Sequence, residues 1–140
     1  MTCVFDSLIR KLPKRLVDNV LLGVLNKSPR IKAACFLNDL KRRVSTTRDE
    51  KLKLVTVNGT RQTDLQVKET RQAISDIIVG DGYLMSTFDP LYIAVCAIYS
   101  VDIRHVWRHT SGNVTLIYKC NQNVPNVQQV AFTSSSTHTS

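Results

Sequence analysis

The stretch DPLYIAVCAIY, residues 89–99, decides the fold of this chain. Asp89-Pro90 is a typical helix start. The Asp side chain can cap the backbone amides of the first turn, and the proline, which lacks a backbone N–H, loses no hydrogen bond there. The residues that follow are apolar on nearly every face of a helix. They are also too few to cross a bilayer. This pattern predicts a short helix buried in the centre of a small core.

Alternation of apolar and polar side chains follows this helix. The pattern predicts a strand over 101–108, a turn at 109–113 that contains Gly112, and a returning strand with Val114, Leu116 and Tyr118 on one face. A short strand is predicted near 127–132. Residues 133–140 are rich in Ser and Thr, so we expect a disordered tail there.

A second hairpin is predicted around Asn58-Gly59, because this dipeptide favours a two-residue type I′ turn. The strand before it is expected to begin at Lys51, where apolar residues start to recur at every second position. In that register Val57 lies opposite Thr60, Val55 opposite Gln62, Lys53 opposite Asp64 and Leu52 opposite Leu65. A helix over 67–79 follows, with Gly80 as its C-terminal stop and Asp81-Gly82 as a turn. One face of this helix is expected to carry Val67, Arg71, Ile74, Ile77 and Ile78.

The N-terminal third reads as three helices separated by prolines: Val4–Lys11, Pro13–Leu25 and, capped by Ser28, Pro29–Val44. The predicted fold class is therefore α+β, with a basic N-terminal helical part packed against a small antiparallel sheet that holds the buried helix. We divide the chain into a basic helical part (1–50), an α+β part (51–132) and the tail. The first two are expected to form one cooperative domain, because neither has enough core of its own.

The net positive charge lies entirely in the first part of the chain. Residues 1–55 contain 13 Lys and Arg against 5 Asp and Glu, which gives 13 − 5 = +8, whereas residues 56–140 contain 6 of each sign, which gives zero. Such asymmetry indicates a polyanionic partner, although a basic solvated surface would give the same count. The candidate polyanion-binding residues are Lys11, Lys14, Arg15, Lys27, Arg30, Lys32, Lys41, Arg42, Arg43 and Arg48.

The second helix suggests how a membrane could be that partner. The candidate membrane-contact residues form its apolar stripe: Leu16, Val17, Val20, Leu21 and Val24. Cations flank this stripe and would meet anionic headgroups. Ordinary core packing of the same stripe is the alternative. Nucleic acid is the other candidate partner, because the second and third helices have the outline of a helix-turn-helix pair. The third helix begins without a cluster of base-reading side chains, so such binding is expected to be sequence-nonspecific.

The sequence contains little that indicates catalysis. The five glycines do not have the spacing of a phosphate-binding loop, and His105 and His109 fall on a strand and a turn without a second pair of metal ligands. Cys3, Cys35, Cys96 and Cys120 are widely spaced, and we expect them to be reduced, with Cys35 and Cys96 as small core residues. We therefore predict no enzyme, no metal and no cofactor.

One resemblance points the other way. The order of Cys35-Phe36, an apolar helix and a strand pair ending in Ile117-Tyr118 resembles that of ovarian-tumour-type cysteine proteases. That family's Asp-Gly-Asn-Cys signature is replaced here by Lys32-Ala33-Ala34 before Cys35, and the only histidine near the end is His138 in the predicted tail. The resemblance implies at most a degenerate relative without a held catalytic base.

Charge and architecture together predict a non-enzymatic basic protein that attaches to an acidic surface, an anionic membrane face or RNA, and associates with itself. In type, though by no motif, this is similar to the matrix or ribonucleoprotein-accessory proteins of RNA viruses. We expect a cytoplasmic protein, at the inner membrane surface or in a virion. The alternatives are a nonspecific RNA-binding accessory or host-antagonist protein and a soluble adaptor domain.

Overall fold

The computed structural model describes residues 3–78 and 89–135. Within these ranges the helices are α1 (Cys3–Lys11), α2 (Lys14–Val20), α3 (Pro29–Thr46), α4 (Asp49–Lys53), α5 (Asp64–Asp76) and α6 (Pro90–Tyr99). The strands are β1 (Thr56–Val57), β2 (Thr60–Arg61), β3 (Asp102–His109), β4 (Gly112–Lys119) and β5 (Gln129–Ser134). Helices and a mainly antiparallel sheet in one chain confirm the α+β class.

The strands form one sheet in the order β2-β1-β4-β3-β5. β3 and β4 pair antiparallel along their whole length, from Ile103 opposite Tyr118 to His109 opposite Gly112. β5 pairs parallel with β3, which departs from the predicted antiparallel sheet. The reason is the path of residues 120–128. They cross the start of β3, where the Asp102 amide donates to the Gln128 carbonyl, so β5 starts at the same end as β3.

α6 is the buried central helix that the sequence predicts, since residues 91–99 are all buried. The Asp89 carboxylate caps it by accepting a 2.8 Å hydrogen bond from the Leu91 amide. The Tyr92 ring stacks on Phe132 of β5 at 5.1 Å between centroids and meets Tyr118 of β4 edge-on at 5.6 Å. α6 therefore packs against the sheet on one side and against other helices on its opposite side.

α3 is the main helix of the N-terminal part and begins at Ser28, whose hydroxyl accepts from the Ile31 amide, as predicted. Its buried side packs toward α6, where Phe36 stacks on Tyr99 with 5.6 Å between ring centroids. The buried residues recur at steps of three and four: Ala33, Phe36, Leu37, Leu40 and Val44. α1 and α2 pack against α3, and α1 also reaches β5.

The hairpin at Asn58-Gly59 forms with the predicted pairing of Val57 and Thr60, and both turn residues have positive φ, 49° and 80°. The strand before it is shorter than predicted, because residues 49–53 form α4. Asp49 and Glu50 in the first turn of α4 favour the helix through its dipole. The strand prediction for 51–55 is therefore wrong.

The strand after the hairpin also ends early. Thr63 and Gln66 form a reciprocal capping box that starts α5 at Asp64. The predicted pair of Lys53 and Asp64 exists as an ion pair, but it joins the end of α4 to the start of α5 instead of two strands. Leu65 is exposed and does not pair with the buried Leu52, so that prediction is wrong.

Three predicted boundaries differ as well. The second helix ends at Val20 instead of residue 25. α5 ends at Asp76, so Ile78 lies beyond the helix and is exposed instead of sharing a helix face with Val67 and Ile74. Thr133 and Ser134, predicted to be disordered, form the end of β5 because they pair with β3. Gly80, the turn at 81–82 and residues 136–140 lie outside the described residues.

Candidate functional site

The turn between α2 and α3 presents apolar side chains beside cations at the protein surface. Leu22 is 81% exposed, and Leu25 and Ile31 are each nearly half exposed. Lys27 and Arg30 lie between them in the chain and are also exposed. We call these five residues the basic apolar tip. Since the sequence has no Asp or Glu from residue 19 to residue 38, no acidic neighbour in the chain offsets their charge.

Local hydrogen bonds hold the tip in shape. The amide of Leu21 donates to the Val17 carbonyl at 2.9 Å, that of Val24 to Leu21 at 2.9 Å, and that of Lys27 to Val24 at 3.0 Å. Gly23 has a φ of +87°, a conformation that residues with a Cβ rarely adopt. The chain therefore leaves the helix at Val20 and turns back with Leu21 inward and Leu22 outward.

The predicted membrane-contact stripe mostly faces the protein interior. Val17 and Leu21 are buried in the core, so the structure corrects the prediction that they meet acyl chains. Leu16, Val20 and Val24 are partly buried and pack against that core. Sequence reasoning indicated Lys27 and Arg30 but missed the exposed apolar residues of the tip, Leu22, Leu25 and Ile31, because it extended a helical stripe through the turn. The glycine at position 23 was the available signal for a break.

A basic groove lies between α3 and α5. Its volume is about 610 Å³, and its walls carry Lys41 and Arg42 from α3 with Lys68 and Arg71 from α5. Among the described residues that line it there is no Asp or Glu. The sequence indicated Lys41 and Arg42, but it missed Lys68 and Arg71, which belong to a helix in the electrically neutral part of the chain. We call these four residues the α3–α5 groove.

Two of these cations also fix the walls of the groove. The Arg71 guanidinium donates to the carbonyls of Val44, at 2.6 Å, and Thr47, at 2.7 Å, and pairs with the Asp49 carboxylate. It thereby satisfies carbonyls at the C-terminal end of α3. The Lys41 ammonium donates to the Ser75 carbonyl at 3.1 Å, which ties α3 to α5.

The ten predicted polyanion-binding residues do not form one surface. Lys27 and Arg30 belong to the tip, and Lys41 and Arg42 to the groove. Arg43 pairs with Asp39 at 3.0 Å and lies over the Tyr99 ring, 5.6 Å from its centroid. The others lie elsewhere: Lys11 against β5, Lys14 paired with Asp18, Lys32 at the start of α3, and Arg15 and Arg48 exposed.

The cysteine and histidine candidates are not brought together in the described residues. The Cys35 thiol lies in α3 and donates to the Val20 carbonyl at 3.4 Å. His105 is buried, and its Nε2 lies 2.8 Å from the Ser134 hydroxyl. Burial lowers the pKa of His105 to about 4. His138 lies outside the described residues. Burial also raises the pKa of the Cys96 thiol, which is unsuited to nucleophilic chemistry.

The described residues contain no group of three or more His, Cys, Asp and Glu side chains that could hold a metal ion. None of the described helices is long and apolar enough to span a membrane. Comparison of the chain with models of protein families, with curated proteins and with solved structures finds no match.

Proposed function

We propose that this protein attaches, as a non-enzymatic basic binding protein, to the anionic surface of a membrane through the basic apolar tip. The observation that carries the proposal is Leu22, a large apolar side chain that is 81% exposed in a segment with cations and no carboxylate. Apolar side chains at a membrane interface enter the acyl boundary while neighbouring cations meet the headgroups.

The energies involved describe a reversible attachment. Lys27 and Arg30 contribute about 1 kcal/mol each near an anionic surface. Full burial of Leu22 contributes about 1.5–3 kcal/mol, and Leu25 and Ile31 contribute less because they are already partly covered. A binding free energy of this size is sufficient for attachment only while the electrostatic contribution is present. Binding is therefore expected to weaken as salt rises.

Flotation of the purified chain with vesicles tests this proposal. We expect the chain to float with vesicles that contain phosphatidylserine and not with vesicles of phosphatidylcholine alone. A variant with Leu22→Ala and Leu25→Ala should lose most of this flotation. The matched control is Leu65→Ala on α5, because Leu65 is also largely exposed but lies outside the tip.

The charge on the tip is tested in the same assay. Lys27→Glu should reduce flotation, whereas Arg48→Glu, which makes the same change of charge at an exposed residue between α3 and α4 and outside the tip, should not. Equal losses in the two variants would mean that net charge alone drives binding, and the tip proposal would then be wrong. Undiminished flotation of the double leucine variant would also contradict it.

RNA is a second candidate partner, and the α3–α5 groove is the observation that favours it. Four cations on two helices line it. Arg42 pairs with Asp39 and Arg71 with Asp49, so Lys41 and Lys68 are the candidates for contact with a phosphate backbone. Replacing Lys41 and Lys68 with Ala should weaken RNA binding. It should also reduce the steepness of the plot of the logarithm of the binding constant against the logarithm of the salt concentration by about 2. Unchanged RNA binding in this variant would show that the groove does not bind RNA.

Self-association completes the role we propose, which is of the matrix or ribonucleoprotein-accessory type. The face of the sheet that bears Arg104, Ile117 and Lys119 is opposite the side chains of the core, so it is available to a second copy. Sedimentation of the chain with and without anionic vesicles measures this. A strictly monomeric chain at high concentration would argue for the soluble adaptor alternative.

A further inference from the structure

A cleft opens between α1, α2 and the first turn of α3, next to the tip. Its volume is about 310 Å³. The side chains of its apolar wall are buried or partly buried: Ile9, Leu12, Val17 and Leu21. The wall ends at the half-exposed Leu25, which also belongs to the tip. The floor of the cleft is therefore the outer surface of the hydrophobic core.

Cations stand at the rim of this cleft. Arg10, Lys14 and Lys32 line it together with a single carboxylate, Asp18, among the described residues. The Lys14 ammonium pairs with that carboxylate, so the two charges offset each other. Arg10 and Lys32 are left as the net charge of the rim. An apolar floor with a cationic rim is complementary to an anion that carries a hydrocarbon chain.

We propose that this cleft binds a single-chain anionic amphiphile of the fatty-acid class, with its carboxylate at Arg10 and Lys32 and its chain against the partly buried Ile9 and the half-exposed Leu25. The proposal rests on the proposed membrane attachment for the source of the ligand, because Leu25 would bring the cleft to the lipid surface. The cleft would bind one ligand per chain, whereas the tip would contact only the membrane surface.

The size and the charge of the cleft select this class. A volume of about 310 Å³ lies at the lower end of the range of about 300–1,000 Å³ for small-molecule sites. It suits one chain of medium length and excludes a lipid with two long chains. A cationic amphiphile would meet Arg10 and Lys32 with like charge. Inorganic phosphate would leave the apolar wall uncovered.

Calorimetric titration without vesicles tests the site, with decanoate as the probe below its micelle-forming concentration. We expect one decanoate per chain, and no comparable binding of decyltrimethylammonium or inorganic phosphate. Lys32→Glu should weaken decanoate binding at least about tenfold, the loss that a reversed charge beside a carboxylate produces. This variant should fold, because a glutamate in the first turn of α3 is favoured by the helix dipole.

The matched control is Lys27→Glu, which makes the same charge change on the tip but outside the cleft lining. It should leave decanoate binding unchanged while it reduces flotation with anionic vesicles. Absence of decanoate binding, equal binding of the cationic amphiphile, or equal effects of the two variants would overturn the proposal. If the wild-type chain still floats with anionic vesicles in that case, membrane attachment stands without the cleft. If the chain binds decanoate but does not float, the cleft stands and the tip proposal fails.

Discussion

The Lys11 ammonium donates a 2.8 Å hydrogen bond to the carbonyl oxygen of Ala131, a residue 120 positions further along the chain. Ala131 lies in β5, the last strand of the sheet that the described residues form. The same ammonium lies 5.1 Å from the centroid of the Phe132 ring. Partial burial lowers the pKa of Lys11, and the charge of Arg10 lowers it further. Lys11, predicted to bind a polyanion, therefore joins α1 to β5.

Replacing Lys11 with Met should lower the free energy of unfolding by about 1 kcal/mol. Methionine retains an apolar stem over Phe132 but cannot donate to the Ala131 carbonyl, and a single hydrogen bond of this kind contributes about that much. Urea unfolding measures the loss. Arg10→Met, one position earlier and exposed, is the control and should change stability by less than about 0.5 kcal/mol. Equal losses of unfolding free energy in the two variants would show that the hydrogen bond to Ala131 does not stabilise the fold.

Leu21→Ala and Leu22→Ala separate the core from the surface at adjacent positions. Leu21 is fully buried, so its truncation should leave a cavity and lower the free energy of unfolding by about 2–5 kcal/mol. Leu22 is 81% exposed, so its truncation should change stability by less than about 0.5 kcal/mol. Thermal melting followed by circular dichroism distinguishes the two. A stable Leu21→Ala variant would contradict the inward position of this side chain.

Arg71→Lys tests the connection of α5 to the end of α3. A lysine keeps the charge but cannot donate to Val44, Thr47 and Asp49 at once, because it lacks the planar fork of the guanidinium. We expect a loss of about 1–3 kcal/mol in urea unfolding. Lys68→Ala, on the same helix and exposed, should stay within about 0.5 kcal/mol of the wild type. A lysine variant as stable as the wild type would mean that charge alone suffices at position 71.

Acid should destabilise the fold through His105. Burial lowers its pKa from 6.5 to about 4 in the folded state. Between these pH values the unfolded chain binds a proton that the folded chain does not, so stability falls as pH drops from about 6.5 to about 4. The total loss is about 3 kcal/mol. Urea unfolding across this pH range measures the slope, and a His105→Gln variant should flatten it. A variant with the wild-type slope would assign the acid sensitivity to other groups.

The elements that the sequence determined by itself are those with local causes. Asp89-Pro90 and Ser28-Pro29 start helices because a side chain caps backbone amides a few residues away. Asn58-Gly59 makes its turn because both residues accept positive φ. The apolar run after Pro90 had to be buried, since no face of that helix suits water. These features need no knowledge of the rest of the chain.

Only the tertiary structure decided which side of each pattern faces water. Residues 51–53 alternate like a strand, yet the capped starts of α4 and α5 leave room for a sheet pairing of two residues. β5 runs parallel to β3 because the loop before it crosses the start of β3. The choice of Leu21 for the core and Leu22 for the surface follows from the turn at Gly23, and the grouping of Lys41 with Lys68 follows from the packing of α3 on α5. Burial and charge grouping depend on contacts between distant segments, and local periodicity does not contain those contacts.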